Sequence, residues 1–361
     1  MTSVVTVVGS HSQIISLPYT SPETAILAQQ LAAAISAQVS GGSMLASSDA
    51  GGPPPPLSGQ TGEYEQTRPG APIQLPLGYT AFIETAPVGV VFGSSDQNQT
   101  ILSGANSSLT FYATAGSGTV AAGGGNNLIS IANTDAGNWQ IATDSGNDTI
   151  RALGGGNDTI DAGGGNNTIT LGGGANTVTS AGNDTITGTT GAETINATTA
   201  QSDIVFGNSS DIVFVGGAGG ATVIGGAGSD TYFGSTGSGV VYGGTAGSNY
   251  LAAGAGSSTL VGGGGNDTFV GGSGGATLTA GSNPSTDLFT FINGSAGGTD
   301  LVTGFFNPSD VHIALIGYGP NEAVNAVANQ VSGANSVTIT LSDNTQVTFQ
   351  NITHLTSGNF Q

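Results

Sequence analysis

The chain has 361 residues, of which 64 are glycine and none is cysteine, so disulfides and thiolate metal sites are excluded. Only Arg68 and Arg151 are permanently basic, against 22 carboxylates, and the formal net charge is −20 at pH 7. Because nucleic-acid binding needs a basic surface, this composition excludes nucleic-acid-binding proteins. No stretch reaches the roughly 18 apolar residues of a membrane span, so no membrane insertion is expected. An acidic chain repels its own compact state, which indicates that cations complete the fold.

Residues 1–42 are predicted to form an arm of two short strands and one helix. The helix has good start signals in Ser21 as N-cap, Pro22 at the first position and Glu23 in the first turn. Its apolar stripe repeats every four residues and consists of Leu27, Leu31, Ile35 and Val39. The stripe packs either within its own domain or between subunits, and the sequence leaves both possibilities open.

Residues 43–87 are predicted to be a linker rich in proline and glycine, with short strands. The run "PPPP" at 53–56 favours extended polyproline conformation. The N-terminus lacks a basic segment and does not resemble a secretory signal peptide, so any export is expected to use another signal.

From residue 88 to 282 one short phrase, Gly-x-(Asp/Asn)-x-apolar, repeats along the chain. Its apolar position recurs at Ile150, Ile160, Ile169, Val178, Ile186, Ile195, Val205, Val213, Val223, Tyr232, Val241, Leu251, Leu260, Phe269 and Leu278. A helix does not tolerate so much glycine. A strand of about three residues with one inward side chain, followed by a glycine turn, fits every unit. The repeat therefore predicts an all-β fold, a parallel solenoid in which each turn contacts only its neighbours.

Residues 283–361 are predicted to be a separate C-terminal capping domain. Apolar residues become denser, a short helix is expected near 320–331, and "SVTITLSDNTQVTFQNI" reads as a hairpin turning at Asp343 and Asn344. A solenoid needs such a cap because an uncovered strand edge aggregates.

Two of the repeats are complete, "GGAGSDTYF" at 225–233 and "GGGGNDTFV" at 262–270. They resemble the RTX nonapeptide Gly-Gly-x-Gly-x-Asp-x-U-x, in which U is a large apolar residue, and the resemblance covers residues 120–282. It implies a calcium-binding parallel β-roll with two nonapeptides per turn and Ca²⁺ between successive loops of one side. Calcium takes six to eight hard oxygen ligands, and glycine turns can direct several backbone carbonyls at one point.

The C-terminal region carries a second resemblance. "GTDLVTGFFNPSDVHIAL", the hairpin and the final "SGNFQ" look like the C-terminal domain of RTX proteins exported by type I secretion. This implies an uncleaved C-terminal signal, recognition by the type I secretion machinery, and a location outside or on the surface of a Gram-negative bacterium. The sequence departs from the family at Phe305, Phe306 and Asn307, where the family has an Asp in the phrase "ItDF".

If successive units alternate sides, the oxygen-bearing loop positions form two columns. One column is Asp148, Asn167, Asp184 and Asp203, followed by Ala221, Gly239, Ser258 and Ala276. The other is Asp158, Asn176, Glu193, Asp211, Asp230, Asn249 and Asp267. Since four losses fall consecutively on one side, we predict a long calcium row on one edge and a short row on the other. Whether loops with only Asn hold Ca²⁺ or merely hydrogen-bond their turns stays open.

The residue after each inward apolar position should face outward. In early units this residue is polar, but from residue 206 it is apolar at Phe206, Phe214, Ile224, Phe233, Tyr242, Val261 and Val270. Contiguous apolar rows indicate a covered surface. The cover is either another part of the chain or a contact between subunits in a homopolymer.

Catalytic signals are weak, and the chain is predicted not to be an enzyme. The three histidines, His11, His312 and His354, are scattered, and no HExxH zinc motif occurs. "GGSGG" at 271–275 is a repeat turn, whereas a lipase nucleophile needs a strand–turn–helix setting. The expected function is that of a calcium-stabilised extracellular structural protein that self-assembles into a surface layer, filament or biofilm-matrix polymer. The alternative is a monomeric secreted adhesin that uses the roll as a rigid stalk.

Overall fold

The computed structural model describes residues 2–282, 284–305 and 307–361. Asn283, at which the predicted cap begins, and Phe306 of the C-terminal motif lie outside the described residues. The chain divides into two compact units, Met1–Gly191 and Ala192–Gln361, which we call unit 1 and unit 2.

Unit 1 consists of one helix and short strands. The helix is α1 (Pro22–Ser40). The strands are β1 (Ser3–Val8), β2 (Ile14–Tyr19), β3 (Met44–Ser48), β4 (Thr61–Gln66), β5 (Ile73–Gln74), β6 (Tyr79–Glu84), β7 (Val88–Phe92), β8 (Gln99–Ser103), β9 (Ser108–Ala113), β10 (Gly118–Ala121), β11 (Leu128–Ile131), β12 (Trp139–Ala142), β13 (Thr149–Ala152), β14 (Thr159–Asp161), β15 (Thr168–Leu171), β16 (Ala175–Thr179) and β17 (Thr185–Gly188).

From β3 onward the strands of unit 1 form two parallel sheets. One sheet has the order β3-β4-β6-β8-β10-β12-β14-β16, and the other has the order β5-β7-β9-β11-β13-β15-β17. The predicted inward residues align in register, as Ile129, Ile150, Ile169 and Ile186 do in the second sheet, and all four are fully buried. The predicted β-roll is therefore confirmed for these turns.

The N-terminal arm folds back on the roll of its own unit. Strands β1 and β2 form an antiparallel hairpin, and the Ser21 hydroxyl caps α1 by accepting the Thr24 backbone N–H at 3.3 Å. The arm shares one apolar cluster with roll residues Ala81, Ile83, Leu102 and Ala121. The buried helix face is lined by Ala25, Ala28, Ala32 and Ile35, whereas Leu27, Leu31 and Val39 of the predicted stripe are only partly buried. Small side chains let the helix approach the sheet closely.

Residues 43–87 are part of the roll, which corrects the predicted linker. Strands β3, β4 and β6 pair in parallel with one another and with β8, so the roll begins at Met44 and not at residue 88. Tyr64 and Phe82 align with Ile101 in its core. The proline run is a loop that accepts a hydrogen bond from the Tyr79 hydroxyl at the Pro55 carbonyl, 2.6 Å away. The short strands predicted for this segment are present, but its proline- and glycine-rich composition did not indicate that they pair with the strands of the roll.

Unit 2 consists of a second set of strands and one short helix. The helix is α2 (Glu322–Ala328). The strands are β18 (Ala192–Ala197), β19 (Ser202–Phe206), β20 (Asp211–Gly216), β21 (Gly220–Ile224), β22 (Thr231–Phe233), β23 (Gly239–Tyr242), β24 (Tyr250–Ala252), β25 (Ser258–Val261), β26 (Thr268–Val270), β27 (Ala276–Thr279), β28 (Leu288–Ile292), β29 (Thr299–Thr303), β30 (His312–Ile316), β31 (Val331–Ser332), β32 (Ser336–Thr340) and β33 (Gln346–Gln350).

Two parallel sheets also build unit 2. One has the order β18-β20-β22-β24-β26-β28-β30, and the other runs β19-β21-β23-β25-β27-β29-β33 before ending in the antiparallel strands β32 and β31. Roll strands thus continue past the predicted boundary at 283, and Phe289 stacks on Phe269 with 5.0 Å between ring centroids. The predicted helix and the hairpin turning at Asn344, which has a positive φ of 69°, are confirmed.

The predicted register is wrong at β20. Phe214 and not Val213 points into the core, because Ile195 pairs with Phe214 and Phe214 pairs with Tyr232. Phe214 is fully buried, so its assignment to the outward assembly surface is wrong. Asp211 is exposed and lies opposite Ala192, one position outside the buried column. The run Ile212-Val213-Phe214 is apolar throughout, so alternation alone does not fix its register.

Candidate metal centre

Buried Asp and Asn side chains form hydrogen-bonded columns along the roll. In unit 1 the Oδ1 atom of Asp148 accepts the backbone N–H of Asn127, one turn earlier, at 2.7 Å. In the same way, Asn167 Oδ1 accepts the backbone N–H of Asp148 at 2.9 Å, and Asp184 Oδ1 accepts that of Asn167 at 3.0 Å. All four side chains are at most 2% exposed. Each side chain thus ties two successive loops together through a single oxygen.

The opposite side of unit 1 has a matching column. Asp158 Oδ1 accepts the Trp139 backbone N–H at 2.8 Å, and Asn176 Oδ1 accepts that of Asp158 at 3.0 Å. In unit 2, Glu193 pairs with Ile212, so an apolar residue takes the place predicted for Asp211. The column then continues in register through Asp230, Asn249, Asp267 and Asp287. The Oδ1 atom of each accepts the backbone N–H of the column residue one turn earlier, at 2.9–3.0 Å.

The second carboxylate oxygen is the feature that points to a cation. The Oδ2 atoms of Asp148, Asp230, Asp267 and Asp300 are buried without a hydrogen-bond partner. Glycines adjoin them: a Cβ atom on Gly225 would lie 1.9 Å from Asp230 Oδ2, and one on Gly262 would lie 2.2 Å from Asp267 Oδ2. The repeat glycines therefore keep open the space beside an orphaned anionic oxygen.

Burial also makes these carboxyls costly to ionise. It raises the pKa of Asp148, Asp230 and Asp267 to about 6, and that of Asp300 to about 7. A buried charge needs a counter-charge, and the chain has only two basic residues. A hard divalent cation at the orphaned oxygens meets this need.

Each column offers at most one carboxylate per turn of the roll. Among residues 2–282, 284–305 and 307–361, no three His, Asp or Glu side chains converge on one point. The remaining ligands of a bound ion would therefore be backbone carbonyls of the stacked loops. This donor set of hard oxygens suits Ca²⁺, so the residues present fit the calcium that the repeats imply.

In the other column of unit 2, the four positions after Asp203 carry neither a carboxylate nor an amide, and their one side-chain oxygen is the buried Ser258 hydroxyl. In register the column continues through Ala221, Gly239, Ser258 and Ala276, and then regains a carboxylate at Asp300, which accepts the Ala276 N–H at 2.9 Å. A Cβ atom on Gly239 would lie 2.1 Å from the Tyr232 hydroxyl, so an aromatic side chain occupies the space there. The cavity beside Asp203 and Ala221 measures only about 10 Å³.

Three column members were missed by the sequence reading: Asn127, Asp287 and Asp300. Asp287 and Asp300 follow longer loops, so they broke the regular spacing. Asp287 stands directly before β28 and Asp300 is the second residue of β29, and the alternating segments that they open, "DLFTF" and "DLVT", could have identified them.

One comparison with known proteins, that with protein-family models, agrees with this geometry. The family HemolysinCabind, described as RTX calcium-binding nonapeptide repeat (4 copies), matches residues 143–178, 178–199 and 243–278. No curated protein sequence matches the chain. Among solved structures, the chain is similar to the extracellular lipase LipA from Serratia marcescens at 13% identity and a TM-score of 0.18. That similarity covers 84% of this chain but 45% of the lipase, so it says nothing about activity.

The repeat match, the two parallel sheets and the buried carboxylate columns lead to one assignment. The chain is an RTX-type repeat protein whose nonapeptide repeats form a calcium-binding β-roll.

Proposed function

We propose that this protein is a calcium-stabilised extracellular structural protein that self-assembles into a surface layer, filament or biofilm-matrix polymer. The observation that carries the proposal is an apolar surface on the strands of unit 2. Proteins rarely leave contiguous apolar rows in water unless a partner covers them.

The main part of this surface lies on one sheet. Phe206, Ile224, Tyr242 and Val261 align in register across β19, β21, β23 and β25, and the first three are 36–48% exposed. Two residues upstream, Ile204 and Val240 are also exposed, on either side of Thr222 in the register. We call these six residues the apolar rows.

The opposite sheet of unit 2 contributes less. Phe233 is 41% exposed and packs against Tyr250, with 5.7 Å between ring centroids. Val270 is only 7% exposed, so its place in the predicted assembly surface is wrong. Val270 lies in register with Thr290, which is also buried. The alternation of a strand predicts which way a side chain points, but it does not predict whether another part of the chain covers that side chain.

The occupant we propose for the apolar rows is a second copy of the chain. In unit 1 the arm covers the outward residues Ala81, Ile83, Leu102 and Ala121. The outward side chains of β19, β21, β23 and β25 include no charged residue. A protein of net charge −20 repels its copies over most of its surface. Contact between copies is therefore most favourable where both surfaces are uncharged and apolar, because electrostatic repulsion is smallest there.

Electron microscopy and sedimentation of the purified protein, with calcium and with a chelator, test this proposal. We expect ordered polymers in calcium and none in the variant Phe206→Ser/Tyr242→Ser, which should keep its calcium-dependent circular dichroism. Thr170→Ser/Thr187→Ser, a matched outward pair in unit 1, should polymerise normally. A wild-type protein that stays monodisperse at high concentration in calcium would overturn the proposal and favour the monomeric adhesin.

We further propose that the protein is secreted by a type I system and is not an enzyme. RTX repeats are typical of secreted proteins. Neither helix in the described ranges is long and apolar enough to cross a membrane. The "GGSGG" segment lies between the strands β26 and β27, which is not the strand–turn–helix setting of a hydrolase nucleophile.

A further inference from the structure

The buried Asn side chains complete their loops with their own amide groups. Asn249 Nδ2 donates to the Gly262 carbonyl at 3.0 Å and to Asp267 Oδ1 at 2.8 Å. Asn167 Nδ2 donates in the same way to the Ala162 carbonyl at 3.0 Å and to Asp184 Oδ1 at 2.8 Å.

Asn127, at the start of the column in unit 1, makes the most complete set. Its Nδ2 atom donates to the carbonyls of Gly123 and Gly125 at 2.9 and 2.8 Å, and to Asp148 Oδ1 at 3.0 Å. The loop carbonyls near these positions thus point at a donor.

In the Asp units the corresponding atom is an acceptor. A Cβ atom on Gly243 would lie 2.7 Å from Asn249 Nδ2, just as one on Gly225 would lie 1.9 Å from Asp230 Oδ2. The amide nitrogen and the orphaned carboxylate oxygen therefore stand at equivalent places beside the loop glycines. An anionic oxygen facing carbonyl oxygens needs a cation between them, whereas an amide N–H₂ does not.

We infer that the columns contain two kinds of unit: Asp148, Asp230 and Asp267 each bind Ca²⁺, whereas the amides of Asn127, Asn167 and Asn249 replace the ion and bind none. The two kinds alternate from Asn127 to Asp184 and from Asp230 to Asp267, so the carboxylates of these stretches stand two strand spacings apart, about 9.6 Å instead of about 4.8 Å. The alternation ends at Asp287, which follows Asp267 directly in the column. The alternation lowers repulsion along the column and sets the number of ions below the number of repeats.

Calcium stoichiometry of the full chain, measured by calorimetry and by metal analysis after desalting, tests the inference. Asn249→Asp should bind one more Ca²⁺ per chain than the wild type. Asp230→Asn should bind one fewer. Asn266→Asp, an exposed substitution in the same loop as Asp267, is the matched control and should leave the stoichiometry unchanged.

A second measurement does not depend on the variants folding. Anomalous scattering from lanthanide-soaked crystals of the wild type should place metal beside Asp230 and Asp267 Oδ2, and none beside Asn249 Nδ2. Metal at the Asn249 position, or an Asn249→Asp protein that is folded in calcium with unchanged stoichiometry, would overturn the inference.

Discussion

The Asp144 carboxylate accepts the backbone N–H of Ser21 at 2.6 Å and so binds the first turn of α1 to the roll. The same carboxylate accepts hydrogen bonds from the backbone and hydroxyl of Thr20. Thr24 adds a neighbouring contact by donating its hydroxyl to the Thr143 carbonyl at 2.9 Å. A buried anion at a helix N-terminus also interacts favourably with the helix dipole. Asp144 is therefore the main polar anchor of the arm.

Replacing this carboxylate should loosen the arm without unfolding the roll. We expect Asp144→Ala to destabilise arm docking by about 1–3 kcal/mol, since several backbone and hydroxyl donors lose a charged acceptor. Hydrogen exchange of residues 3–40 measures the loss of protection. Glu23→Gln removes an exposed carboxylate from the same helix turn and should change exchange little. Equal effects of the two variants would contradict the assignment of Asp144 as anchor.

Glu63 is a buried carboxylate under the arm that no cation site uses. It shares the outward face of its sheet with Ala81 and Ile83, it is 0% exposed, and neither of its oxygens has a hydrogen-bond partner. Burial, with a contribution from Glu65, raises its pKa to about 9 from 4.5. The folded state thus binds this proton more tightly than the unfolded state.

The sign of the pH effect follows from that shift. The stability linked to Glu63 is fully present below pH 4.5 and is lost as pH rises toward 9. Glu63→Gln, a neutral isostere, should raise the free energy of unfolding at pH 7.5 by about 2–4 kcal/mol and have little effect at pH 4. Urea unfolding of both proteins at the two pH values measures this. A Glu63→Gln effect that is the same at both pH values would refute a charge-based cost.

Local signals in the sequence predicted several elements, whereas pairings between remote residues stayed hidden. Ser21 before Pro22 marks the start of α1, and the turn at Asn344 closes a hairpin, because both depend on neighbouring residues. The side of α1 that packs on the roll was predicted only in part: Ile35 of the predicted stripe is buried, but hydrophobicity favours Leu31 whereas close packing on the sheet selects Ala32. The column positions were predicted where the spacing is regular and lost where an insertion or an unbroken apolar run hides the register.

The corrected register at β20 predicts different roles for two phenylalanines. Phe214 is fully buried and stacks on Tyr232 with 5.5 Å between centroids, whereas Phe206 is 36% exposed. Phe214→Ala should lower the stability of calcium-loaded unit 2 by about 3–5 kcal/mol, and Phe206→Ala by less than about 1 kcal/mol. Urea unfolding of the full chain in calcium, followed by hydrogen exchange in unit 2, separates the two. A loss for Phe214→Ala as small as that for Phe206→Ala would instead support the register that places Val213 inward and Phe214 outward.

Gly262, beside the candidate site at Asp267, is expected to be needed because it has no side chain that would fill the site, and not because of its backbone conformation. Gly262 does not have a positive φ, yet a Cβ atom there would lie 2.2 Å from Asp267 Oδ2. Gly262→Ala should therefore remove one bound Ca²⁺ and destabilise the calcium-loaded protein by about 1–3 kcal/mol, the range for overpacking.

Gly155 supplies the matched control for this substitution. It also lies in a loop of the roll without a positive φ, but a Cβ atom there would have no heavy atom within 4 Å. Gly155→Ala should leave calcium stoichiometry unchanged and stability equal or slightly higher, since alanine restricts the unfolded chain. Calorimetric titration and thermal unfolding in calcium compare the two variants. If Gly262→Ala kept the full number of ions, the space beside Asp267 Oδ2 would not be where Ca²⁺ binds.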